Sequence, residues 1–204
     1  MDPTETTLYP VILPVPDCDQ KRNGREQVRS LSRHARAALK LSCEKSGLAL
    51  NTLPKDDKGV PLPVDGVYWS LSHKTAIAGG VASPQPVGLD LETVRPVSRA
   101  LLSKVADEAE WRLAGDKNER AFFRFWTAKE AVLKAVGKGM AGLSRCKILN
   151  IFDEARMTLT YENTRWPVAH IWFNGHVAAL ASGQSDVAWT IRGYRHGRTE
   201  KITT

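Results

Sequence analysis

The run FFRFWTAKEAVLKAVGKGMAG, residues 122–142, carries the spacing of an amphipathic helix. At 100° per residue, Phe122, Phe125, Trp126, Leu133 and Val136 share one arc, and no proline or glycine intervenes before Gly137. The reading predicts a helix from about residue 118 to residue 136 with a glycine stop. Glu130 and Lys134, four residues apart, lie side by side at the edge of the apolar stripe, where core meets solvent. Lys129 falls inside the stripe, where an ammonium is costly without an anionic partner, and a carboxylate or phosphate of a functional site is the expected partner. The plain alternative is a surface Glu–Lys pair, a snorkelling lysine and an ordinary helix stop at Gly137-Lys138-Gly139.

Immediately upstream, Ser83-Pro84-Gln85-Pro86 reads as a linker, and VGLDLETVRP, residues 87–96, as a strand that follows it. Alternation puts Asp90 and Glu92 on one face and Leu89 and Leu91 on the other. Two carboxylates so placed repel unless a cation intervenes, and they can share one divalent ion; a turn or salt-bridge role is the plain reading. Before the linker, residues 67–71 read as a strand running into Ser72-His73, and residues 76–83 as a second strand of small residues. KDDKGVPLP, residues 55–63, is a loop.

Further upstream, a turn at Asn23-Gly24 opens a long helix over residues 25–45, closed near Gly47. Arg25, Arg29, Arg33, Arg36 and Lys40 span only about 80° of its wheel, beside an apolar face of Val28, Leu31, Ala35, Ala38 and Leu39. Five cations without interleaved acids repel one another, so the stripe is either a solvated face or an anion site. Residues 8–15, apolar but punctuated by prolines, read as an edge strand. Downstream of the linker, residues 98–114 hold short helices with an acidic start at Asp107. The C-terminal part reads as strands at residues 146–151, 156–161, 169–173, 176–182 and 188–194, with Asn174-Gly175 as a hairpin turn of the primed type. Residues 195–204 are a polar tail.

The chain of 204 residues carries a formal charge of +7, which favours nucleic acid, an acidic protein or a polyphosphate as partner without choosing among them. Its start lacks a basic segment followed by an apolar one, and no run approaches the roughly 18 apolar residues of a membrane span. Cys18, Cys43 and Cys146 form no CxxC pair, so neither a disulfide framework nor a zinc site is expected. These features predict a soluble, cytoplasmic protein.

Taken in order, three blocks resemble the 4′-phosphopantetheinyl transferases, and among them the surfactin-activating type. The blocks are WSLSHKTAIAGGVAS at residues 69–83, VGLDLE at residues 87–92 and FWTAKEAVLKAVGKG at residues 125–139. The likeness runs over roughly residues 57–150, about half the chain. It implies an α+β fold of two similar halves related by a pseudo-twofold, each a small sheet packed on a long helix, with the active site in the cleft between them. The halves would be residues 1–84 and residues 85–195, the second with the metal site, followed by a tail at residues 196–204. The implied reaction moves the phosphopantetheine arm of coenzyme A to a serine of an acyl, peptidyl or aryl carrier protein, with Mg²⁺, releasing 3′,5′-ADP. By the same resemblance Asp90, Glu92 and Glu130 would hold the metal. Glu130 would also take the serine proton, Lys134 would assist at the phosphate, and Ser72 and His73 would hold the 3′-phosphate of coenzyme A. Where the family usually places Gly-Lys/Arg-Pro, this chain has Gly59-Val60-Pro61, with Lys58 one residue early as the candidate replacement. Arg33 and Arg36 are the stripe residues expected at coenzyme A. A monomer is expected, acting on neither nucleic acid nor membrane. The alternatives are a basic nucleic-acid-binding module, which lacks any accompanying signature motif, and a Mg²⁺-dependent phosphohydrolase.

Overall fold

The computed structural model describes residues 6–183 and 186–193. In chain order the elements are β1 (Thr7–Leu8), β2 (Val11–Pro14), α1 (Asp17–Gln20), α2 (Gly24–Ser46), β3 (Tyr68–Lys74), β4 (Ile77–Ser83) and β5 (Gly88–Thr93). After these come α3 (Arg99–Val105), α4 (Glu108–Ala114), α5 (Glu119–Ala135), a 3₁₀ turn (Met140–Arg145), β6 (Lys147–Ile151), β7 (Arg156–Tyr161), β8 (Thr164–Phe173), β9 (His176–Ala181), β10 (Asp186–Val187) and β11 (Thr190–Ile191). The architecture is mixed α+β, as expected from the sequence. The polar tail and the end of the last expected strand lie outside the described residues.

The organising helix forms where its spacing put it. Asn118 caps α5 by accepting the Ala121 N–H at 2.9 Å. At the other end Gly137 adopts φ +66°, so that its N–H reaches the Lys134 carbonyl and the Lys138 N–H reaches that of Leu133, a Schellman ending. Phe122, Phe125, Ala128, Val132 and Leu133 are buried in one cluster with Met157, Leu159, Val168 and Val177 of the sheet beneath.

That sheet has five antiparallel strands in the order β5-β9-β8-β7-β6. Asn174 and Gly175 both take positive φ in the turn between β8 and β9, as the primed hairpin requires. β8 is longer than its sequence suggested. It begins at Thr164 and runs through Pro167, which pairs with Thr158 and accepts the Ser182 N–H at its carbonyl, so the missing proline N–H does not end the strand. The other sheet has the order β11-β2-β4-β3. Its outermost strand, β11, comes from the end of the chain and lies parallel to β2, so the C-terminal segment returns to the first sheet instead of extending the meander. β1 and β10 pair in the same sense.

Each of the two larger sheets carries one long helix, and each helix settles on a glycine. On the first sheet, Leu31, Ala35, Ala38 and Leu39 of α2 are buried, whereas Val28, expected on that face, is 57% exposed near the helix start. A Cβ at Gly80 would stand 2.5 Å from the Leu39 nitrogen. On the second, a Cβ at Gly88 would stand 1.9 Å from the Ala131 carbonyl oxygen of α5, a clash with backbone that no rotamer relieves. Gly88→Ala is therefore expected to lift α5 from β5 and destabilise the protein by about 1–3 kcal/mol or more, read as a lowered midpoint in urea. An unchanged midpoint would show that α5 approaches β5 less closely.

The two sheets meet at β3 and β5 through side chains. Ser70 Oγ accepts the Leu89 N–H at 2.9 Å and Ser72 Oγ accepts the Leu91 N–H at 3.1 Å, so two serines spaced by two on β3 satisfy the facing edge of β5. Among the described residues no helix is long and apolar enough to cross a membrane. Cys18 is exposed, Cys43 and Cys146 are buried, and all three are free.

Candidate active site

Alternation along β5 sends Leu89 and Leu91 into the core and leaves Asp90 and Glu92 together with α5 and β3. Asp90 is 1% exposed. Its Oδ1 accepts from Lys134 Nζ at 2.6 Å and from Ser72 Oγ at 3.1 Å, while its buried Oδ2 has no partner. Lys134 also donates to Ser72 Oγ at 3.2 Å and to the Leu89 carbonyl at 3.1 Å. Ser72 thus uses its whole hydroxyl within the site, donating once and accepting twice.

Glu92 Oε1 pairs with Lys74 Nζ at 2.7 Å and accepts the Trp126 indole N–H at 3.0 Å. The sequence alone marks neither partner as a site residue, Trp126 reading as part of the apolar stripe of α5. The signals were there: Ser70, Ser72 and Lys74 alternate along β3, and Trp126 stands one helical turn before Glu130. Burial raises Glu92, and the Lys74 ammonium offsets only part of that. Burial alone would lower Lys74, but the bond and charge of Glu92, with Asp90 and Glu130 behind it, raise it.

Glu130 is pushed up to about 7, first by burial and then by the negative charge of Asp90; Lys134 and Lys74 pull the other way, and Glu92 adds to the rise. Three carboxylates from two elements therefore act on one another across a space that holds two ammonium groups. Glu130 faces two openings. One, of ≈ 210 Å³, is lined by Lys58, Pro61, Lys134, Gly137 and Lys138 at the end of α5. The other, of ≈ 670 Å³, is lined by Lys74, Glu92, Arg95, Phe122, Phe123 and Trp126.

Lys58 lies on the smaller opening with Glu130 and Lys134. His73 is half-buried, and burial, with the charges of Lys134 and Lys74, lowers its pKa and disfavours the charged ring. Arg33 reaches Asp19 Oδ2 of α1 at 3.7 Å and donates to Ser30 Oγ, one turn back on α2, at 3.2 Å. Arg36 is exposed on α2 and lines neither opening. Lys129 corrects an expectation: its partner belongs to no ligand site but is Glu110 of α4, at 2.6 Å, with both side chains buried.

Among the described residues no three His, Cys, Asp or Glu side chains could cage a metal by themselves. Mg²⁺ does not ask for such a cage, since it binds through one or two carboxylates and completes its shell with phosphate oxygens and water. The buried, unpartnered Oδ2 of Asp90 and the all-oxygen donor set of Asp90, Glu92 and Glu130 fit that demand.

A model of the 4′-phosphopantetheinyl transferase superfamily matches residues 86–187, half of the chain. Among curated proteins, the chain is 34% identical over 92 residues to the 4′-phosphopantetheinyl transferase psf-1 of Bacillus pumilus, an overlap of 43% of this chain and 40% of that protein. It is 33% identical over 105 residues to the 4′-phosphopantetheinyl transferase HetI of a Nostoc species, covering 46% and 44%. To the 4′-phosphopantetheinyl transferase Sfp of Bacillus subtilis it is 26% identical over 102 residues, covering 48% and 45%. The chain spans less than half the length of these curated relatives.

Proposed function

The chain belongs to the 4′-phosphopantetheinyl transferase superfamily, and from that membership we propose that it transfers the 4′-phosphopantetheine arm of coenzyme A to a serine of an apo carrier protein, releasing 3′,5′-ADP. The observation that carries this reading is the convergence of Asp90, Glu92, Glu130 and Lys134 beside two openings. Nothing in the comparisons supports the nucleic-acid or phosphohydrolase alternatives.

The smaller opening, with Lys58, Lys134 and Lys138 at its rim, suits the phosphates of coenzyme A. The larger, lined by aromatic side chains and Arg95, suits the carrier's serine segment. Glu130, on both, is the residue that can meet serine and phosphate together. Asp90, Glu92 and Glu130 would hold Mg²⁺, which when bound neutralises charge on the pyrophosphate oxygens. The serine Oγ forms a bond to the phosphorus that carries pantetheine, the phosphoanhydride bond breaks, and the electron pair leaves with 3′,5′-ADP. Glu130 takes the serine proton. Lys134 stabilises the negative charge of the phosphate oxygens from its place beside Asp90. Ser72 aligns Asp90 and Lys134, and His73 donates one ring N–H to the 3′-phosphate. Lys58 supplies a cation near that end, with Arg36 and Arg33 as the outlying candidates on α2.

We further read the molecule as two related α+β halves, residues 1–84 and 85–195, about a pseudo-twofold, because each of the two larger sheets receives its long helix at a bare glycine; β10 and β11 of the second half cross back to pair with β1 and β2 of the first. The cleft between them would hold the site, in a cytoplasmic monomer. The test is direct. Incubated with Mg²⁺ and coenzyme A, the protein should add one phosphopantetheine to an apo acyl, peptidyl or aryl carrier, seen by intact-mass spectrometry. No gain on any of a panel of carriers would overturn the reading.

A further inference from the structure

Glu110 and Lys129 form a buried ion pair that the chemistry above does not use. Their exposures are 3% and 1%, and Lys129 Nζ lies 2.6 Å from Glu110 Oε1. The same Oε1 accepts the Ile148 N–H at 2.9 Å, where β6 begins, and Oε2 accepts the Asp107 N–H at 3.0 Å, closing the capping box of α4. One carboxylate therefore fixes the start of α4, the start of β6 and the middle of α5.

Lys129 precedes Glu130, and the next residue on a helix points 100° away. The lysine runs into the body of the protein while the glutamate faces the openings. The core packing of α5 on its sheet is apolar and resists turning about the helix axis only weakly because it lacks direction. Its directional bonds to β5, Lys134 to Asp90 and Trp126 to Glu92, lie within the site itself. The bond to Glu110 therefore ties the helix to α4, outside the groups the chemistry uses. A short charge-assisted bond at the residue before Glu130 does have direction. With side chains reaching about 5–6 Å from the axis, a turn of roughly 10° would carry the Glu130 carboxylate about 1 Å. A displacement of that size can cost about 10²-fold in rate.

We infer that the Glu110–Lys129 pair is a positioning device that sets the rotation of α5 and so aims Glu130 and Trp126 at the carboxylates of β5. The catalytic part of this inference rests on the transferase reading; the structural part does not. Trp126 offers a readout free of activity, because its indole N–H bonds to Glu92 at 3.0 Å across the same gap.

The test is Lys129→Met, which keeps the length of the chain and removes the charge, with Glu110→Gln as the second variant should the first fail to melt cooperatively. The indole N–H resonance of Trp126, assigned with Trp126→Phe, should shift and exchange faster in the folded variant. Turnover on an apo carrier should fall about 10²-fold while affinity for coenzyme A, by calorimetry, stays within about threefold. Lys129→Arg, which restores a charged donor, should recover part of the rate. An unmoved Trp126 resonance with turnover within about threefold of wild type would overturn the inference. So would a parallel collapse of melting, coenzyme A affinity and turnover in both variants, which would mark the pair as structural only. If the unaltered protein modified no carrier, the functional reading would fall, and the Trp126 resonance would still decide whether the pair holds α5.

Discussion

Glu130→Gln is expected to lower transfer about 10²- to 10⁴-fold, the loss that follows removal of a general base. Glutamine keeps the shape and one ligand oxygen, so the variant should fold and bind coenzyme A as the native protein does. The proton of the carrier serine then has no acceptor at the junction of the two openings. Steady-state kinetics should put the loss in kcat, with KM for carrier and coenzyme A little changed. Full turnover in the glutamine variant would remove Glu130 from the proton transfer.

Asp90→Asn is expected to cost at least about 10²-fold for a different reason. Asparagine can still accept from Lys134 and Ser72, but an amide nitrogen then occupies the place of Oδ2, the buried oxygen with no partner. A donor facing a cation site repels what the acceptor would attract. The half-saturating Mg²⁺ concentration should rise steeply, and added Mg²⁺ should restore much of the rate, whereas in Glu130→Gln it can restore only the share lost through the metal and not the share lost with the base. An unaltered Mg²⁺ dependence would exclude Asp90 as a ligand.

Local signals in the sequence were enough for the long elements. The 3.6-residue spacing and the Gly137 stop located α5, alternation put Asp90 and Glu92 on one face, and Asn174-Gly175 fixed a hairpin. Contacts distant in sequence were not legible. The wheel showed that Lys129 needed an anion, but the anion is Glu110, on another helix whose acidic start accounted for it already. The resemblance implies a phosphate contact for Ser72, and what the sequence does not show is that its hydroxyl also bridges β3, β5 and α5. The last strand read as part of the C-terminal meander because period-two alternation does not say which sheet a strand joins; β11 pairs with β2. Pro167 hid the first half of β8, since a proline in a strand is tolerated only where its neighbours do not need its N–H. The site roles of Lys74 and Trp126 are not legible for a related reason: one reads as ordinary surface and the other as part of the apolar stripe until Glu92 is brought beside them.

The proposed transfer depends most on Asp90, Glu92 and Glu130 converging on one cation. Crystals grown with coenzyme A and Mn²⁺, measured for anomalous scattering at the manganese edge, test that directly. One peak within ligand distance of the Asp90 and Glu130 carboxylates and of the pyrophosphate is the expected result. A coenzyme A molecule bound in the smaller opening with no manganese between those two side chains would contradict it.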